Sequence, residues 1–189
     1  MEADKVKACI QDAARELFRR YGYNKTNVSE IARSAKVAKA TIYKHFESKE
    51  MILHAILMDY IRKSVKDIIT KSERDLDLET YLSNLILRVS RLSYTICNEF
   101  VGWDFIRESA NAQEYLKTLS DDLENLLIQS FQESEVVTLP LENLRFLLNS
   151  SKSIVFSFAF TSVSVADVRK NFVSFQNDML PFLVKAAIA

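Results

Sequence analysis

Apolar residues recur along this chain at helical spacing from its first turns to its last. Val6, Ile10, Ala13, Leu17 and Tyr21 fall three or four residues apart, and Cys9, Ala14 and Phe18 widen the stripe. That pattern predicts an amphipathic helix, with Gly22 following where a C-cap residue belongs. Asn27 stands three residues before Glu30, ahead of Val28, Ile31, Ala32 and Ala35. Such a pair predicts a capped start to a second, short helix. After a break at Lys36-Val37-Ala38, Ile42 and Phe46 give a third short segment one apolar face. Ser48, followed by Lys49 and Glu50, opens a fourth helix carrying Ile52, Ile56, Tyr60, Ile68 and Ile69.

Beyond a polar stretch at 71–77 the units lengthen. Leu78, Leu82, Leu85, Val89, Leu92 and Ile96 hold a 3.5-residue period, and Leu116, Leu119, Leu123, Leu126 and Leu127 mark another helix. Residues 133–140 read as a connector, with Pro140 near the start of a helix over 141–162 that is apolar on most sides. Ser164 and Asp167 open a last helix bearing Val168, Phe172, Phe175, Met179 and Phe182, which Pro181 is expected to kink or end. No strand alternation, repeat or low-complexity tract interrupts this series, so the expected class is all-α, with about nine helices in total.

Composition strengthens that reading. The 189 residues include two Gly and two Pro, too few for the tight turns of a β-sandwich, barrel or Rossmann fold. Net charge is zero, which argues against a wholly basic coat for nucleic acid. The charge is divided, however: residues 1–50 hold 11 Lys/Arg against 7 Asp/Glu, and residues 51–189 hold 14 against 18. A basic head on an acidic body hints at a nucleic-acid module joined to something else. Two cysteines, Cys9 and Cys97, make no disulfide framework and read as small buried hydrophobes in a reduced chain. The first residues lack an apolar core, and the longest uncharged stretch, Ser153–Ala166, is short of a bilayer span. The expectation is a cytoplasmic protein with no membrane partner. His45 has only His54 for company, so no metal is expected. No Ser-His-Asp set or phosphate-cradling glycine loop is present, and neither an enzyme nor a cofactor is expected.

Two short helices joined by a tight turn behind a longer one suit a helix-turn-helix, whose second helix must bury one face and present donors on the other. In Lys39-Ala40-Thr41-Ile42-Tyr43-Lys44-His45-Phe46, Ile42 and Phe46 point inward, and Lys39, Ala40, Thr41, Lys44 and His45 project outward. These residues resemble the TetR family of transcriptional regulators. The likeness runs through Ala14–Phe18, Tyr21–Tyr23, Thr26–Ala32, Ala35–Phe46 and Ser48–Leu53, roughly the first 60 residues. It depends on many coincident positions rather than on one short motif.

The resemblance implies residue roles. Thr26 and Asn27 fall where the family grips the phosphate backbone; Tyr43, His45 and Lys49 match phosphate-contacting positions; Lys39, Ala40, Thr41 and Lys44 lie where side chains reach base edges. The sequence departs from the family at two positions. Lys36 stands where the turn usually has Gly, and it is itself a candidate phosphate contact; Ala38 replaces the usual Ser or Thr N-cap. Residues 1–47 are then the DNA-binding domain, with the motif at 27–46. Helix 48–71 is a link, and 72–189 an effector-binding and dimerisation domain. The resemblance also implies a ligand cavity in the middle helices, for which Tyr94, Cys97, Phe100, Trp103, Arg107, Tyr115 and Phe156 are candidates, and a dimer interface in the last two, for which Phe158, Phe160, Phe172, Phe175 and Met179 are candidates. The implied function is a repressor that binds a palindromic double-stranded operator as a homodimer and is released by a small-molecule effector. The alternative is a helical dimeric ligand- or protein-binding module that has lost DNA reading, and the Lys36 and Ala38 departures are its only support.

Overall fold

The computed structural model describes residues 2–70, 76–96, 98, 110–134, 139–162 and 164–189, and these are helical with short connections. In chain order the helices are α1 (Glu2–Tyr21), α2 (Val28–Ser34), α3 (Lys39–His45), α4 (Lys49–Thr70), α5 (Leu78–Thr95), α6 (Ala110–Ser134), α7 (Leu141–Thr161), α8 (Val165–Ser174) and α9 (Leu180–Ile188), with a π-helical segment, Phe175–Met179, between the last two. The expected all-α class is what the chain adopts. The residues form two compact units, one of Met1–Tyr60 with Ile96–Ala112 and the other of Ile61–Thr95 with Gln113–Ala189. The division falls inside α4, between Tyr60 and Ile61, whereas the sequence reading makes that helix a separate link. Buried apolar residues run along both parts: Ile52, Leu53, Ile56 and Leu57 in the first, Ile61, Val65 and Ile68 in the second.

In the first unit, α1 buries Ile10, Ala14 and Phe18; Ile31 and Ala32 of α2, and Ile42 and Phe46 at α3, complete the small core. Phe18 and Tyr23 meet edge-to-face at 5.3 Å, a favourable quadrupole arrangement. Cys9 is exposed, contrary to expectation. At 100° per residue, Ile10, Gln11, Ala14 and Phe18 share one face of α1 and Cys9 falls nearly opposite.

In the second unit, α9 packs against both α5 and α7, and α5 against α7. The heptad-spaced residues Leu82, Leu85, Val89 and Leu92 are buried, as are Leu119, Leu123 and Leu127 of α6. Pro140 sits at the N-cap of α7. Asn143 Nδ2 donates to the Ala187 carbonyl at 2.9 Å, satisfying an acceptor that the end of α9 leaves free. Ser164 caps α8 by accepting from the Asp167 amide. The expected single last helix is replaced by α8, the π segment and α9. Pro181 occupies the first turn of α9, where its missing N–H costs little, and the Leu180 N–H reaches back five residues to Phe175 O. Widening the turn there takes up the clash that the proline ring would make with the preceding turn.

Candidate nucleic-acid interface

The geometry of the first unit begins with how two seven-residue helices are held. At α2, Asn27 Oδ1 accepts from the Glu30 amide at 3.0 Å and the Asn27 amide donates to Glu30 Oε2 at 2.9 Å. This is the reciprocal box expected from the sequence. At its other end Lys36 takes φ 56°. The Lys36 N–H donates to Arg33 O and the Val37 N–H to Ala32 O, so a lysine closes the Schellman turn that glycine usually closes. A side chain in that left-handed region costs about 1 kcal/mol. The N-cap of α3, Ala38, has the extended backbone of a cap and no side-chain bond to offer.

The turn sets α3 on Ile42 and Phe46, both buried. Lys39, Ala40, Tyr43 and Lys44 are exposed, and Thr41 and His45 half-buried. Tyr43 keeps 49% of its surface open, and the Lys39 ammonium lies 5.9 Å from its ring centroid. Lys36 and Asn27 are also exposed. The face therefore combines cations, an aromatic hydroxyl and a small apolar residue beside the helix axis. Those are the groups that phosphates, base-edge acceptors and a thymine methyl would meet.

Two residues expected in this set face elsewhere. Thr26 is 2% exposed, and its hydroxyl donates to Gly22 O at 3.0 Å. A β-branched residue ending a loop is here a plug that closes the loop on itself. Lys49, at the start of α4, sends its ammonium inward to Tyr23 O at 2.9 Å and Thr26 O at 3.0 Å, 4.0 Å from the Tyr23 ring centroid. Burial pushes this ammonium below the usual lysine range, opposed by the neighbouring Glu50 charge. Glu50 accepts from the Tyr23 hydroxyl at 2.6 Å. Burial acts upward on the Glu50 carboxyl, but the Tyr23 hydroxyl, backbone amide, Ser48 and Lys49 together hold it below its usual value.

Tyr94, Tyr115 and Phe156, in the second unit, are half-buried; Cys97, Phe100, Trp103 and Arg107 lie outside the described residues. Tyr94 meets Phe172 edge-to-face at 5.7 Å, and Phe172 meets Phe158 at 5.3 Å. Phe175 is 0% exposed and Phe158 is buried, so these two interface candidates are core residues of their own chain. The side chain of Phe160 is outside the described ones. Met179 is exposed, and the sequence reading missed Val165, Val173 and above all Phe182, at 74% exposure, as interface candidates. The signal for Phe182 was its place on the same apolar stripe, which the π turn rotates outward. Among the described residues no group of three His, Cys, Asp or Glu is placed to hold a metal, and no helix is long and apolar enough to cross a membrane.

A buried three-helix head with a short, cation-bearing third helix defines a helix-turn-helix DNA-binding domain. Residues 10–56 match the model of bacterial regulatory proteins of the tetR family. The A-factor receptor protein of Streptomyces griseus is 52% identical over 48 residues, 25% of this chain and 17% of that protein. The fatty acid metabolism regulator protein of Bacillus subtilis is 30% identical over 135 residues, 67% of this chain and 69% of that protein. The crystal structure of the regulator FadR from Bacillus subtilis in complex with stearoyl-CoA shares the fold, with a TM-score of 0.52 at 24% identity over 94% of this chain and 97% of that one. The chain belongs to the TetR family of transcriptional regulators.

Proposed function

We propose that this regulator is a repressor that binds a palindromic operator as a homodimer in the cytoplasm and is released by a small-molecule effector. The observation that carries the reading is the α3 face, where Lys39, Ala40, Tyr43 and Lys44 are exposed above buried Ile42 and Phe46. Phosphate contacts from Tyr43, His45, Lys36 and the Asn27 end of α2 give affinity and its salt dependence; base contacts from Lys39, Ala40, Thr41 and Lys44 give specificity. A dimer places two such helices one helical turn of DNA apart, about 34–36 Å.

Dimerisation is supported by the exposed apolar residues Val165, Val173, Met179 and Phe182 of the last helices, whose covering by a second copy would take apolar surface out of water. For the effector, the relative matched over two thirds of both chains regulates fatty acid metabolism, and a long-chain acyl thioester is the first class to test. Tyr94, Tyr115 and Phe156 are proposed to line its pocket. Effector release requires only that the ligand bind the two conformations unequally. The reading is tested by selecting bound fragments from genomic DNA and repeating the binding with Tyr43→Ala/Lys44→Ala. Specific binding by the parent and its loss in a folded variant are expected. Equal binding by both at physiological salt overturns the assignment of α3.

A further inference from the structure

The loop between α1 and α2 holds a half-buried cation. Gly22 takes φ +87° and donates to Phe18 O, ending α1. The chain then turns through Tyr23–Thr26, and two of its carbonyls, at Tyr23 and Thr26, converge on one ammonium. That ammonium comes from α4, 23 residues further along the chain. The Tyr23 ring covers it, and the Tyr23 hydroxyl is fastened to Glu50, the next residue of α4. Tyr23 and Thr26 are buried, so the clamp closes on groups that the surrounding unit already holds. Thr26 completes it by returning its hydroxyl to Gly22 O. Immediately beyond the clamp stands Asn27, the cap of α2.

We infer that Lys49 is a positioning residue of the DNA-binding head: its ammonium ties the α1–α2 loop to the start of α4 and so fixes Asn27 and α2 for the phosphate backbone, without itself contacting phosphate. Lysine suits this role because an ammonium is a compact three-donor charge that can satisfy two carbonyls at once. Charge-assisted hydrogen bonds are roughly twice as strong as neutral ones. The Tyr23 face adds an attraction that strengthens as water is excluded. Two of its donors and one ring face are thereby committed to the protein.

The inference rests on the proposed DNA binding for one readout and is independent of it for the other. The first measurement uses the full chain without DNA: amide hydrogen exchange at Thr26 and Asn27 in the parent, Lys49→Met and Lys49→Gln. Losing two charge-assisted bonds should lower protection in Lys49→Met roughly tenfold or more. Gln keeps two N–H donors on a side chain one atom shorter and should recover part of it. The second measurement is operator affinity from low to moderate salt. Lys49→Met should bind about tenfold more weakly, with the slope of log K against log salt unchanged, and Lys49→Gln should fall between with the same slope. A slope reduced by about 0.9, the value for one lost phosphate contact, overturns the inference in either variant, as does unchanged protection at Thr26 and Asn27. Should the parent bind no DNA, the proposed function fails, and the exchange experiment still decides the role of Lys49.

Discussion

Helices α2 and α3 are the same length and lie on either side of one turn, yet they are stabilised by different means. α2 has a complete capping box at one end and a Schellman turn at the other, so its ends are satisfied by its own neighbours in sequence. α3 has no side-chain cap at Ala38 and only one buried residue within it, Ile42, with Phe46 just beyond its end. Helices this short are marginal alone. α2 therefore has local hydrogen bonds at both ends in addition to its buried Ile31 and Ala32, whereas α3 relies on tertiary burial without a side-chain cap. The element proposed to read DNA is the one whose order depends on the rest of the head. Its exposed side chains can vary without touching what holds it, because that support comes from two inward residues and from α2.

The sharpest way to break the contrast is Ile42→Ala. Removing a fully buried side chain typically costs 2–5 kcal/mol, and here the loss falls on the main anchor of α3. Urea denaturation should show a destabilisation of about 3 kcal/mol, and exchange should quicken in α3 more than in α2. Next in size is Asn27→Ala, which removes the α2 cap; about 1 kcal/mol should be lost, with the opposite pattern of exchange. Equal effects on both helices would mean that they form one unit. Supplying α3 with the cap it lacks, by Ala38→Ser, should raise stability by about 0.5–1 kcal/mol and slow exchange in its first turn. Lys36→Gly relieves left-handed strain but loosens the unfolded chain, and a net change of only a few tenths of a kcal/mol is expected by thermal melting.

The smallest effect is one of pH. Glu50 is held below its usual pKa in the folded chain, so the unfolded state takes up protons first as pH falls. Its contribution is fully present above the unfolded value near 4.5 and is lost as pH drops through the lower folded value. Comparing the acid arm of the stability curve with that of Tyr23→Phe, which lacks the hydroxyl bonded to Glu50, should show a shallower fall in the variant. Identical arms would deny that the Tyr23 hydroxyl lowers Glu50.

The head was largely legible in the sequence because its features are local. Asn27 with Glu30 and the inward pair Ile42 and Phe46 are each specified within four residues, and each stands where the pattern puts it; the turn at Lys36 is legible only through the family resemblance. Thr26 and Lys49 were not legible, since their partners are backbone carbonyls, which every residue carries and no sequence distinguishes. In the second unit, Phe175 and Phe182 have the expected seven-residue spacing but opposite exposures. The π turn between them adds a residue to the local repeat and rotates everything after it. Spacing alone places two residues on one face only while the helix keeps 3.6 residues per turn.

The lysine at the end of α2 separates two properties that are usually joined. With glycine in that turn, the backbone conformation is easy and the position carries no charge. With Lys36, the backbone bonds define the bend while the ammonium stands free of them in solvent. Chemical acylation of that amine would delete the cation and leave the bend intact, whereas substitution by glycine deletes the cation and relaxes the bend together. The geometry of the turn and the electrostatic potential beside it can therefore be adjusted independently at this one residue.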